Sequence, residues 1–169
     1  MNRRNFLYAS TGMLAIAAGG TTLLRLLSAD TAKAETFEVT KTEAEWRKIL
    51  TPDQYNILRE EGTEPPFSSP LLNEHRVGTF HCAGCDLALY SSKTKFESGT
   101  GWPSFWEALP DAVRNSTDTS LFMVRNEEHC RRCGGHLGHV FDDGPPPTGK
   151  RHCIDGLALT FKPDATQAS

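Results

Sequence analysis

Thr79-Phe80-His81-Cys82-Ala83-Gly84-Cys85 and His129-Cys130-Arg131-Arg132-Cys133-Gly134-Gly135 repeat one pattern, C-x-x-C with glycine within or after it, and their reading decides the fold. Each turn can aim two thiolates at one point. Cys82, Cys85, Cys130 and Cys133 together suit one structural zinc ion, held tetrahedrally and closed to water. The 44 residues between Cys85 and Cys130 exceed the gap of a compact zinc ribbon, so the metal is expected to clip distant parts of one domain together. Arg131 and Arg132 would offset the negative charge of four thiolates, unless they are simply solvated. His81 and His129 read as a layer behind the ligands or as plain polar residues. Two redox pairs, or two short disulfides, are the competing readings. Neither pair sits in the strand-helix-strand setting of a thioredoxin-like motif.

Outward from these pairs the chain has two textures. Thr42-Glu43-Ala44-Glu45 is a capping box, and Trp46, Ile49 and Leu50 give the following turn an apolar face, so a short helix is expected from Glu43 to Leu50. Thr51-Pro52-Asp53-Gln54 repeats the signal with proline at the first helical position, and Gly62 reads as its stop. From Gly78 the runs become short and β-branched or aromatic. Thr79–His81, Leu87–Tyr90, Leu121–Val124, Leu137–Phe141 and Ile154–Phe161 read as strands. The expected fold is mainly β, with short N-terminal helices. Its domains read as a helical arm and Pro-rich loop over 35–77, a zinc-containing β domain over 78–163 and a frayed tail over 164–169.

The first 34 residues read as a leader. Arg3-Arg4 precedes a diluted apolar stretch from Phe6 to Leu27, and Ala32-Lys33-Ala34 is a cleavage site of small residues. Asn2-Arg3-Arg4-Asn5-Phe6-Leu7 resembles a twin-arginine signal, the export route for folded proteins. Gly19-Gly20-Thr21-Thr22 and Arg25 interrupt the run, which favours cleavage near Ala34 over a membrane anchor. A periplasmic or otherwise exported protein follows, expected to act as a monomer. The chain carries a net charge of −3; the leader contributes +3, leaving −6 on the 135 residues after it. That acidity excludes a nucleic-acid partner, which needs a basic stripe.

Five cysteines leave Cys153 over once the tetrad is assigned. On a strand, Arg151, Cys153 and Asp155 share a face. Arg151 favours a reactive thiolate and Asp155 opposes it; a buried structural cysteine is the alternative. Gly101-Trp102-Pro103-Ser104-Phe105 sets an indole beside a proline. Gly134-Gly135-His136-Leu137-Gly138-His139-Val140-Phe141 puts two histidines at spacing three among glycines. His136 and His139 read as proton donors rather than metal ligands, since the four cysteines already fill a tetrahedron.

Taken together, these stretches resemble the B-type peptide methionine-R-sulfoxide reductases over about Glu43 to Pro163. The segments are the two C-x-x-C pairs, Gly101 to Phe105, Cys133 to Val140 with Asp143-Gly144-Pro145, and Arg151-His152-Cys153-Ile154. The resemblance implies two small antiparallel sheets, a β-tent, with zinc away from the chemistry. It implies that Cys153 attacks the sulfoxide sulfur and becomes a sulfenic acid. His136, His139 or water would protonate the oxygen, and Trp102 would wall the S-methyl site, with Asp155 and Arg151 beside the substrate. Oxidised proteins or peptides are the implied substrates, and an external thiol or thioredoxin-like protein the reductant. Two departures stand out. Asp155 holds a place where the family often has Asn. Thr100 holds the place where many members carry a resolving cysteine, so no partner for Cys153 is expected within the chain. A non-enzymatic zinc module and a thiol-disulfide oxidoreductase using Cys82 and Cys85 remain the rival readings.

Overall fold

A computed structural model describes residues 36–120 and 123–165. The leader reading over 1–34 lies outside the described residues, as do 166–169 of the tail. Asp164, at the expected start of the tail, still donates its N–H to Val77 O. Among the described residues no helix is long and apolar enough to cross a membrane.

Two helices open the fold. In α1 (Glu43–Ile49) the Thr42 side chain accepts from the Glu45 N–H while Glu45 accepts from the Thr42 N–H. In α2 (Pro52–Glu60) Thr51 and Gln54 do the same, with Pro52 spending no N–H at a position that needs none. The stop of α2 lies one residue earlier than expected. Glu61, not Gly62, takes the left-handed conformation (φ 54°), and the Gly62 N–H closes the turn on Asn56 O. A side chain at Gly62 would strike Asn56, so glycine is needed there for space rather than for φ.

The strands form two antiparallel sheets. The three-stranded sheet has the order β2-β1-β9, where β1 is Gly78–Cys82, β2 Ala88–Ser91 and β9 Leu159–Pro163. The six-stranded sheet runs β3-β4-β8-β7-β6-β5, with β3 Lys95–Phe96, β4 Ser104–Phe105, β5 Val113–Asp118, β6 Arg125–Cys130, β7 His136–Phe141 and β8 Arg151–Ile154. Two strand expectations need correction. Met123 and Val124 lie outside any strand and are exposed; residues 121–122 are outside the described set. The expected strand Ile154–Phe161 is two strands, β8 and β9, parted by a 3-10 turn at Gly156–Ala158. The break lets the chain leave one sheet and enter the other.

One apolar core joins helices and sheets. Trp46, Ile57 and Leu58 of the helices are buried with Phe80, Leu89, Tyr90, Phe105, Leu137 and Ile154. Tyr90 stacks on Phe105 with centroids 4.3 Å apart, and Phe80 meets Phe105 edge-on at 5.0 Å. Burying a Leu or Ile of this kind contributes about 2 kcal/mol. Helices and sheets thus share one buried cluster.

Candidate functional site

The four paired cysteines converge. Cys82 ends β1 and Cys130 ends β6, so the cluster ties one sheet to the other. Their sulfurs all lie within 4.8 Å of one another. Two close approaches run between the pairs, Cys82 to Cys133 at 3.7 Å and Cys85 to Cys130 at 3.5 Å. A tetrahedron of thiolates around zinc would set its sulfurs about 3.8 Å apart, so the donor set fits a four-coordinate thiophilic ion. Gly134 supplies the left-handed turn (φ 65°) after Cys133. All five cysteines carry free sulfurs, and four of them form one group that could hold a metal ion. Arg131 and Arg132 are not simply solvated: both pair with Glu38, and Arg132 also donates to Cys85 O.

A second group of residues surrounds a cavity of about 500 Å³. Cys153, His136, His139, Trp102 and Asp155 all line it, joined by Thr63, Arg125 and Phe141. Five of the six residues expected at the chemistry thus meet in one place. Residues three apart on a regular strand face opposite ways, yet His136 and His139 face the same cavity. The cause is a bulge: β6 pairs His129 with His136 and then Glu128 with Gly138, leaving Leu137 as an extra residue. The two imidazoles end edge to face, 5.5 Å apart. Gly138 permits the close approach of β7 to β8, because a Cβ there would lie 2.1 Å from Cys153 O.

Each imidazole leans on a carboxylate. His136 Nδ1 lies 2.7 Å from Glu127 Oε1, and His139 Nε2 lies 2.8 Å from Asp118 Oδ2. Asp118 is held far below the ordinary carboxyl range, first by the Ser120 N–H and then by His139. Burial pushes Glu127 up, but His136 and Ser116 outweigh it and the net shift is downward. Both carboxylates are therefore ionised and accept only, which assigns the hydrogen to the ring nitrogen facing each of them. Arg125 donates to Asp118 (2.6 Å) and to Ser120.

The sulfur of Cys153 is half-buried. Burial pushes its thiol above the usual range and Asp155 adds to that; Thr100 and Arg151 pull the other way and do not prevail. A chain of hydroxyls leads to the sulfur, Ser104 to Ser98 (2.8 Å), Ser98 to Thr100 (2.9 Å) and Thr100 to Cys153 (3.8 Å). Arg151 does not line the cavity. Its guanidinium forks onto both oxygens of Asp143 and lies 4.4 Å from the Phe141 ring centre. It reaches Cys153 as a neighbouring charge.

Asp155 is buried, 4 % exposed, and its Oδ1 accepts from the Thr63 hydroxyl (2.8 Å) and the Glu64 N–H (2.9 Å). Burial raises its pKa in spite of those donors. Trp102 is set by the same loop, its indole N–H donating to Glu64 O. The Glu64 carboxylate in turn takes the N–H groups of Gly156 and Leu157. The sequence marks this loop only as proline-rich. Thr63 and Glu64 before Pro65-Pro66 carry no signal of their own. Arg125 and Glu127 do carry one, charges two apart on one strand face, but it lies in a stretch that does not read as a strand.

Comparison with known proteins follows the same lines. Residues 50–163 match the SelR domain family. The chain is 58% identical over 125 residues to the peptide methionine sulfoxide reductase MsrB of Methanosarcina barkeri, covering 73% of this chain and 88% of that protein. The Agrobacterium fabrum protein of the same name is 54% identical over 127 residues, 75% of this chain and 94% of its own. That of Leifsonia xyli is 48% identical over 137 residues, with 80% and 98% covered.

Proposed function

Because the chain belongs to the SelR-domain family of peptide methionine sulfoxide reductases, it is an oxidoreductase of methionine sulfoxide, and we propose that it reduces the R epimer in proteins through a sulfenic acid on Cys153. The observation that carries this reading is the cavity shared by Cys153, Trp102 and two histidines that each lean on a carboxylate.

One imidazole takes the thiol proton, and the thiolate attacks the sulfoxide sulfur. The same proton goes to the sulfoxide oxygen, which otherwise leaves poorly. The oxygen ends on Cys153 as S–OH and methionine leaves as its thioether. The cysteine sulfur is oxidised by two electrons, the substrate sulfur is reduced by two, and no proton is gained or lost. Trp102 walls the methyl group, and fixed places for methyl and oxygen select one epimer. Asp155 borders the same cavity, and its carboxylate stands against the Cys153 thiolate. An external thiol or thioredoxin-like protein then attacks the sulfenic sulfur, releasing water and a mixed disulfide, and a second thiol frees Cys153. Cys82, Cys85, Cys130 and Cys133 would hold one zinc ion per chain, whose work is to fasten the two sheets. The protein acts as a monomer outside the cytoplasm, after loss of its leader. Replacing Arg3 and Arg4 by Lys would then strand precursor inside the cell.

The deciding experiment is turnover of the two separated epimers of a methionine sulfoxide peptide. The R form should be consumed, the S form spared, and Cys153→Ser should be inactive with its fold intact. Equal rates on both epimers, or a fully active Ser variant, would overturn the reading.

A further inference from the structure

Trp102 borders two cavities. One is the cavity of Cys153; the other, about 270 Å³, has Phe67, Leu72, Ser98, Glu97 and Gly101 in its lining. Phe67 is 70 % exposed and sits at φ 64°, a conformation that aromatic residues rarely take. Its N–H donates to Gly101 O at 2.7 Å, and Gly101, itself at φ 98°, has no room for a Cβ against Phe67 N. A strained backbone therefore holds a large ring in solvent and anchors it to the residue just before Trp102. The ring adds little to the core, so its placement is not explained by folding. Strain of this kind gathers at functional sites.

We propose that the second cavity is a subsite for an apolar side chain near the methionine sulfoxide in an extended polypeptide substrate. The proposal rests on the sulfoxide-reduction reading and names the substrate class more closely. Continuity is the first argument, since Trp102 lines both cavities. In an extended chain, residues two apart lie on one face about 6.6 Å from each other, a span that steps over such a ring. Chemistry is the second. Phe67, Leu72 and Trp102 offer apolar surface, beside the polar side chains of Asn73 and Ser98. The one charged lining group, Glu97, is paired with Lys95 at 3.3 Å, and Lys95 also donates to Leu72 O. The lining thus offers no cation to an acidic residue. The occupant is a flexible or unfolded segment with Leu-like residues beside its sulfoxide.

The test compares kcat/KM for N-acetylmethionine sulfoxide and for pentapeptides with central methionine sulfoxide. Leu or Asp is scanned against Gly through the two positions on either side. Leu at one of these positions should raise kcat/KM about tenfold over Gly, and Asp should not. Phe67→Gly, which relieves the strained φ, should bring the Leu-to-Gly ratio close to one; Leu72→Ala should lower it. Melting temperatures of both variants report folding. Wild type that reduces every peptide without preferring Leu overturns the subsite, as does a preference untouched in both folded variants. Wild type that reduces none of the pentapeptides overturns the underlying function instead.

Discussion

The hydroxyl of Thr100 stands 3.8 Å from the sulfur of Cys153. A thiol in that place would be within reach of an oxidised Cys153. Thr100→Cys should therefore convert a persisting sulfenic acid into a disulfide between the introduced thiol and Cys153 after one equivalent of sulfoxide. Mass spectrometry without reductant should find a trappable sulfenic acid in wild type and a disulfide in the variant, with metal retained in both. A disulfide between Cys153 and a cluster cysteine in wild type, with metal released, would show instead that the cluster supplies the resolving thiol.

Asp155 opposes the Cys153 thiolate and is itself held above its ordinary pKa by burial. Asp155→Asn keeps an acceptor for Thr63 and Glu64 but removes the charge. The pH midpoint of Cys153 alkylation by iodoacetamide should fall. Stability follows the same sign. A carboxyl with a raised folded-state pKa favours the fold below its unfolded value, and that contribution is lost as pH rises through the folded value. The Asn variant should melt higher than wild type at pH 7, the gap closing below about pH 4. A midpoint that rises would contradict the assigned charge coupling.

Asp118 touches no substrate in the proposed reaction; it positions His139. Asp118→Asn should lower kcat about a hundredfold, the scale of a lost general acid–base group, with KM little changed. It should also move a limb of the pH–rate profile. A uniform loss of both constants with an unmoved profile would mean that Asp118 only supports the hairpin.

Cys130→Ser breaks the cluster that joins β1 to β6. Metal content should fall from one zinc per chain to almost none. Structural zinc contributes on the order of 10 kcal/mol in small metal domains, so the cooperative melt should be lost or shifted far down. Equal melting temperatures for variant and wild type would sink the structural role.

The helices are legible in the sequence because capping boxes act locally, within four residues. The cluster is legible because C-x-x-C turns carry their own geometry. Strands β5 and β6 are not, for a physical reason. Val-Arg-Asn-Ser-Thr-Asp at 113–118 is an edge strand exposed along most of its length, so no apolar alternation marks it. Asp118, Arg125 and Glu127 come from that hairpin and stay hidden with it. Spacing alone suggests that His136 and His139 act together, but what brings them together is the bulge at Leu137, a property of the partner strand's register. Alternation along a strand puts the Arg151 charge near the sulfur, while its fork on Asp143 depends on a loop closing back over eight residues.

Strand β9 lies beside β1, with Cys82 opposite Leu159, although 77 positions part them in the chain. During synthesis the ribosome therefore releases Cys82 and Cys85 long before Cys130 and Cys133, and all four before the strand that completes the first sheet. Nothing local can close this domain early. Metal capture and sheet completion both wait for distant partners, which makes folding slow by contact order and leaves two nascent thiols open to solvent in the meantime. The compartment where translation occurs must keep those thiols reduced until the later half of the chain arrives.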